Sequence, residues 1–323
     1  AAQIAARNVD PTLFLVKEDP FDDPAQAQAV GGVALDLFAR RDFASIDYFA
    51  DRARAEKMRL SNGDWVESKF CRALYGPAGN SPNADSWKKH GGRIIEWERA
   101  VPDSIIAPVI DAQFAIKRAW QARGRGFANT VKPEQWALFA RHIAEARQTL
   151  EGAPRKSPEW YDAMLTVALA ESLERPARDA IFAEGWKAFP GYGPLVNAHA
   201  YSLLPRWLGE PGDWGKFTED FATRNGAEYY PGPTLDRMRI ELAAVKEAVD
   251  LPLFCQGFEK LIADHPDAIS LRHRYARALW QLNAETQLPA ALRNLGDTYH
   301  VGTWASAAEL DFLRQRYSTP PKK

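Results

Sequence analysis

Arg123, Arg125, Phe127 and Asn129 fall in one short stretch, 122–130, and are interleaved with Gly124 and Gly126. Two guanidinium forks beside an aromatic ring suit a carboxylate, a phosphate or a sugar. Glycines on either side let the backbone approach a ligand or adopt positive φ. The same residues also fit a structural role, in which Gly124 closes a helix, arginine complements its negative end and Asn129 sits in the turn. Either way the stretch joins two helices.

A second group is Tyr201, Arg206, Trp207 and Trp214. An arginine stacked on tryptophan beside a glycine-containing turn can line a concave binding face, and the same aromatics can equally seal a helix corner. These eight residues are the candidate ligand- or partner-binding set.

Signatures of catalysis are sparse. The chain has no Gly-x-Ser-x-Gly elbow, no His-Glu-x-x-His and no phosphate-binding loop. Glu171-Ser172 resembles the catalytic Glu-Ser of soluble lytic transglycosylases, but the Gly-Leu-Met-Gln-type segment expected downstream has no counterpart. The six histidines, His90, His142, His199, His265, His273 and His300, lack metal-ligand spacing. Asp19, Asp22 and Asp23 lie among prolines without the glycine-containing loop of a calcium site, and read as solvated turn residues. Cys71 and Cys255 are far apart in sequence and are compatible with one disulfide or with two buried thiols. The expectation is therefore no catalytic residue, no metal and no cofactor.

The elements that would carry these residues are helical. Apolar residues recur at i, i+3, i+4 and i+7, as in Trp136, Phe139, Ala140 and Ile143, and no window alternates with period two. Residues 25–40 and 43–57 read as a helical hairpin turned at Arg41-Asp42-Phe43, and a shorter helix covers 65–75. Asp85 is expected to cap a helix carrying Trp87, Ile94, Ile95 and Trp97, weakened by Gly91-Gly92. The next helix, capped by Asp103 or Ser104, has the wide apolar set Ile106, Val109, Ile110, Phe114 and Trp120, which makes it central, and it ends at Gly124. Ser157-Pro158-Glu159 is a helix start, with serine as cap, proline in the first turn and glutamate favoured by the helix dipole. Arg175-Pro176 opens a partner helix closed by 190–194, and further helices cover 195–204, a segment from Asp213, 234–248, 253–264, 267–282, 286–296 and 303–316.

Helix pairs repeat at roughly 33–42 residues, the period range of helical-repeat arrays. The expected fold is all-α, a right-handed superhelical array of helical hairpins of tetratricopeptide-like type with little or no β. Its parts are an extended arm over 1–23, a hairpin array over 24–226, further hairpins over 227–317 and a tail at 318–323.

Composition narrows the function classes. Forty-one Lys and Arg balance 42 Asp and Glu for a formal charge of −1. Such balance gives no field to attract nucleic acid or anionic lipid. There is no apolar run of membrane-spanning length. The start, Ala1-Ala2-Gln3, suits a mature exported protein that has lost a signal ending in small residues, so the expected location is periplasmic or secreted. Eleven Trp, 10 Tyr and 16 Phe supply both packing wedges and stacking surfaces.

The segments Ala122-Arg123-Gly124, Phe127-Ala128-Asn129-Thr130-Val131, Trp136, Phe139, Pro158-Glu159-Trp160-Tyr161 and Leu203-Leu204-Pro205-Arg206-Trp207 together resemble the bacterial family called domain of unknown function 4034, over about residues 35–225. The resemblance implies a helical, tetratricopeptide-like fold and no established activity. The expected function is a non-catalytic scaffold that recognises a peptide or protein partner on a concave surface. The alternative is an enzyme or a small-ligand (anion or carbohydrate) receptor whose pocket is built by the Arg123–Thr130 loop.

Overall fold

The structure, a computed structural model, describes residues 23–78, 83–124, 126 and 128–318. Residues 1–22 of the expected arm, with Asp19 and Asp22, lie outside the described residues, as do Arg125, Phe127 and the tail from 319. Asp23, expected at the end of the arm, is instead the first residue of the first helix.

The described residues form fifteen α-helices and no strand; two isolated bridges, Arg59 with Trp65 and Val301 with Trp304, are the only β pairing among them. The helices are α1 (Asp23–Arg40), α2 (Phe43–Ala55), α3 (Val66–Leu74), α4 (Ala84–Ala100), α5 (Ala107–Arg123), α6 (Pro133–Gly152), α7 (Pro158–Ala170), α8 (Arg175–Ala188), α9 (Gly193–Ser202), α10 (Asp213–Asn225), α11 (Pro231–Ala248), α12 (Leu251–Asp264), α13 (Ile269–Gln281), α14 (Leu288–Arg293) and α15 (Ala307–Ser318). The fold is all-α. The chain divides into two compact units: among the described residues the first holds Gln26–Arg59 and Asp64–Ser202, the second Leu60–Gly63 and the described parts of Lys17–Ala25 and Leu203–Lys323.

Local chemistry accounts for several helix starts. Ser157 accepts from the Trp160 amide at 3.2 Å, with Pro158 in the first turn. The N-cap position of α5 is Ile106 rather than the expected Asp103 or Ser104, although the Ser104 hydroxyl, in the preceding turn, accepts from the Ala107 amide at 2.9 Å. The cap of α4 is Asn83, which accepts from the Ser86 amide at 2.9 Å, rather than the expected Asp85. Both are short Asx side chains just before an apolar run, and the backbone at Asn83 is extended as an N-cap requires. Two C-terminal helices are shorter than the apolar pattern predicts, α14 and α15, and α11 is broken at Glu241 by non-helical backbone.

In the first unit α5 is buried almost all round, as its wide apolar set requires, and packs on α4, α6 and α7. Helix α7 packs in turn on α5, α6, α8 and α9. This core also buries charge. Glu67 has no exposed surface; its Oε1 accepts from Arg54 Nε at 2.8 Å, and burial pushes its carboxyl up to about 7 against the pull of Arg54. Glu159 is equally buried and accepts the Tyr75 hydroxyl. It was expected to be a dipole-favoured acid in the first turn of α7; instead burial raises its pKa, with Asp162 adding to the rise and Arg72 opposing it. Asp47 accepts from Trp97 Nε1 at 2.9 Å and from the Ser104 hydroxyl, and burial lifts it to about 6. Each contact joins segments that are distant along the chain. Cys71 and Cys255 are both buried free thiols, which removes the disulfide alternative.

The second unit has its own core around Tyr230, Phe254, Phe258, Leu279 and Trp304. Gly257 in α12 lies so close to the 227–229 turn that a Cβ there would come within 2.4 Å of the Ala227 carbonyl oxygen. Trp304 Nε1 donates to His273 Nδ1 at 2.8 Å, and burial lowers the His273 pKa to about 4.

The buried carboxylates of the first unit set a stability profile. A carboxyl whose pKa is raised keeps, when folded, a proton that the unfolded chain has already lost, so its contribution falls as pH rises through the folded pKa. His90 and His199, lowered by burial, act oppositely: their contribution is present above 6.5 and is lost as pH falls. Between pH 6.5 and 8 the remaining histidine change is the smaller and dies away by about pH 7.5, and the carboxylates dominate, with Glu67 and Glu98 both near 7. Urea-unfolding midpoints of the first unit are therefore expected to drop across this interval, by about 1.4 kcal/mol per pH unit and group at the steepest. Glu159→Gln, which keeps an acceptor for Tyr75 and cannot ionise, should flatten the slope; a profile that is level or rises from pH 6.5 to 8 would refute the assignment.

Candidate functional site

Gly124 closes α5 in the conformation its residue type allows, with φ of 76°, and its amide bonds the Trp120 carbonyl at 3.0 Å. Gln135 in the first turn of α6 then holds the junction from both sides. Its Nε2 donates to the Ala122 carbonyl at 3.0 Å and more weakly to that of Arg123 at 3.4 Å, while its Oε1 accepts from the Lys132 amide at 3.1 Å. Arg123 lies over the faces of Trp120 (5.6 Å) and Trp136 (5.3 Å), and its Nη1 donates to the carbonyls of Gly124 and Gly126 at 3.2 Å each. The guanidinium thus ties its own loop together. Asn129 is exposed in a short 3-10 turn over Ala128–Thr130.

The other four residues of the sequence-derived set fall in both units. Tyr201 is half-buried near the end of α9 in the first. In the second, Arg206 is exposed with its guanidinium 5.4 Å from the half-buried Trp207 ring, and Trp214 is buried under Arg237 at 4.6 Å.

A different feature of the first unit has the form of a binding site. Helices α4, α5 and α6 enclose an open groove of about 780 Å³. That volume lies within the range of small-ligand and side-chain-accepting clefts. One wall is aromatic: Trp87 and Phe114 are 5.5 Å apart at a tilt of 38°. The groove exists because α4 has no side chains where they would fill it. A Cβ on Gly91 would press on the Phe114 ring at 3.0 Å, and one on Gly92 would meet nothing within 4 Å. Ile95 lies one turn further along the wall and is 46% exposed. Trp87 Nε1 is buried without a hydrogen-bond partner.

The opposite side is polar. Asp111 of α5 takes a long hydrogen bond of 3.4 Å from Thr149 of α6. Burial raises its pKa; the Thr149 bond and Arg118 oppose the rise, and Glu145 adds to it. Arg118 lies 5.8 Å from the Phe114 ring centre. Glu145 is engaged elsewhere, with His142 at 2.7 Å and Arg141 at 3.5 Å. Glu98, one turn beyond Ile95 on α4 and outside the groove's lining, is pushed up to about 7 by burial and by the charge of Asp111.

Neither Trp87, Asp111, Phe114 nor Arg118 was singled out from the sequence as a binding residue. The usable signal was Asp111, a carboxylate set among Val109, Ile110, Ala112 and Phe114 in α5. A second was the stripe Ala84, Lys88, Gly91 and Ile95, spaced by three and four residues so as to share a helix face. Among the described residues no group of three or more His, Cys, Asp or Glu is placed to hold a metal ion, and no helix is long and apolar enough to cross a membrane. No family model, curated protein or solved structure matches the chain.

The Gln135 bridge is expected to be worth about 1 kcal/mol, since it satisfies two carbonyls at the end of α5 and one amide at the start of α6. Gln135→Ala should lower the urea midpoint of the first unit accordingly, whereas Asn129→Ala, at an exposed position, should leave it within about 0.5 kcal/mol of the parent. Equal effects of the two substitutions would show that the bridge does not organise the junction.

Proposed function

We propose that the chain is a non-catalytic helical-repeat protein of tetratricopeptide-like kind, and that an extended segment of a protein partner lies in the groove between α4, α5 and α6. The observation that carries this reading is the groove itself: an open channel with an aromatic wall on one side and a polar one on the other, formed where two adjacent glycines strip a helix face. Repeat arrays generate such channels because each hairpin adds a wall to the one before it. The packing of α5 and α7 on helices one and two places away in the chain supports the array reading for the first unit. The resemblance of 122–131 and its companion segments to domain of unknown function 4034 belongs to the same proposal, since that resemblance implies a helical domain of this type.

An extended peptide fits better than a compact metabolite for a physical reason. The α4 wall of the groove runs from Ala84 to Ile95, eleven residues at about 1.5 Å each, so a ligand that uses both ends must be long. Ile95 offers an apolar contact at one end.

Gly92→Leu tests the site without harming the fold. The position is open on the groove side, and leucine is the better helix former by roughly 0.8–1 kcal/mol, so the variant should be at least as stable as the parent. Peptides selected from a displayed random library on the intact chain are expected to bind Gly92→Leu at least tenfold more weakly, read by titration calorimetry alongside urea unfolding. Undiminished binding to a folded Gly92→Leu would move the site elsewhere.

A further inference from the structure

We infer that the segment held by this groove carries an aspartate or glutamate whose carboxylate lies between Lys88 and Arg118, and, two residues away, an apolar side chain that fills the gap over Gly92 beside Ile95. The inference rests on the groove being the binding site, and concerns what the groove selects.

The lining charges balance in number, Lys88 and Arg118 against Asp111 and Glu145, so the groove as a whole favours no net charge. Their order along it is what selects. Helices α4 and α5 run antiparallel here. Phe114 is met by Trp87 and by the Gly91 position, and a Cβ on Gly76 would touch both Trp87 at 3.5 Å and the Lys117 side chain at 3.2 Å. The Trp87-Lys88 turn of α4 therefore lies beside the Lys117-Arg118 turn of α5. At the other end Ile95 shares the lining with Asp111, which is tied to Thr149 of α6 at 3.4 Å. One end of the groove is basic and the other acidic.

The basic end is the one with donors to spare. Glu145 is met by His142 at 2.7 Å and Arg141 at 3.5 Å, both on its own helix. Lys88 is exposed and Arg118 half-buried, and among the described residues neither has a hydrogen-bond or ion-pair partner. Two cations on facing helices, one of them a planar fork, suit a carboxylate. A basic side chain at this end would be repelled, and a carboxylate at the far end would meet Asp111, so the placement is fixed by sign.

Spacing sets the apolar position. Gly92 lies four residues beyond Lys88, about 6 Å along the helix axis, and a Cβ there would meet nothing within 4 Å. Ile95, 46% exposed, stands three residues further on. Side chains on one side of an extended segment recur at every second residue, about 6.6 Å. An acid held at Lys88 thus brings the side chain two positions away to the Gly92 gap.

The test uses the full chain and the same displayed peptide library. Peptides that bind the parent but not Gly92→Leu are sequenced, and their affinities are measured on Lys88→Gln and on a Lys88→Gln, Arg118→Gln double variant. Glutamine matches lysine and arginine as a helix former, so both variants are expected to fold, as urea unfolding would verify. Lys88→Gln, at an exposed position, carries the test alone should the double variant unfold. Enrichment of aspartate or glutamate two positions from an apolar residue supports the inference when affinity falls about threefold on the single variant and at least tenfold on the double. Replacing that acid in the peptide by its amide should cost as much on the parent and nothing further on the double variant. Groove-dependent peptides without an acidic preference, or with affinities unchanged on both variants, overturn the inference while leaving the groove as the binding site. Dependence on the free C-terminal carboxylate, lost when the peptide is amidated and not when its acidic side chain is replaced, overturns the assignment to a side chain. Failure to recover any peptide sensitive to Gly92→Leu removes both readings.

Discussion

Glu67 is wholly enclosed and its carboxylate is met by Arg54, and much of the first unit follows from the need to answer buried ionisable groups in this way. Helices stacked through apolar faces have shallow preferences for angle and register, since several ridge-and-groove arrangements are close in energy. A directional contact between buried polar groups removes that freedom. Arg54 and Glu67 fix α2 against α3, Tyr75 and Glu159 fix the end of α3 against α7, and the Trp160 indole, donating to the Leu150 carbonyl at 2.7 Å, fixes α7 against the end of α6. Asp47 does the same for α2, α4 and the start of α5 through Trp97 and Ser104. A buried pair of this sort adds little net stability, but removing one member costs about 3–5 kcal/mol because the other is left charged and dry. The network therefore acts mainly on geometry, and the walls of the groove, α4 to α6, are each tied to it.

The helical character of the chain was legible because the apolar periodicity is strong and the terminators are chemically specific. Ser157-Pro158 and Gly124 behave as their residue types require. What periodicity could not supply was the identity of long-range partners. Glu159 has the sequence context of an ordinary first-turn acid, and its burial depends on a tyrosine 84 positions earlier. The cap of α4 was misread by two residues because Asn83 and Asp85 offer the same hydrogen-bonding oxygen, and only backbone conformation separates them. The assignment of Leu60–Gly63 to the second unit has no local signature either, since it follows from which surfaces those residues meet rather than from what they are.

The same distinction explains why attention falls first on 122–130 and not on the groove. Residues adjacent in sequence look like a site, and Arg123 with its glycines is conspicuous. Yet two of that arginine's contacts are carbonyls of its own loop, and its guanidinium lies over two indole rings. Groove residues come from three helices at spacings of three, four and more than ten, so in the linear chain they look like the ordinary polar faces of ordinary helices. Gly91-Gly92 read only as a weak point in α4, because propensity measures what a glycine costs a helix and not what its missing side chain leaves open.

That cost is informative in its own right. Gly91 has a packing reason, since the Phe114 ring occupies the space a side chain would need, but Gly92 has none within the chain. A glycine at an open helical position lowers stability by roughly 0.5–1 kcal/mol relative to alanine with no internal return. Asp111, on the opposite wall, has its charged form disfavoured by burial and by Glu145, with the Thr149 hydrogen bond and Arg118 opposing the rise. Two local penalties of different origin, one conformational and one electrostatic, thus border the same cavity. A ligand can shift a protein only through interactions that differ between the free and bound states. Here the unfilled helix face at Gly92 is one such difference, since a chain that lies against it gains contacts that the free protein lacks.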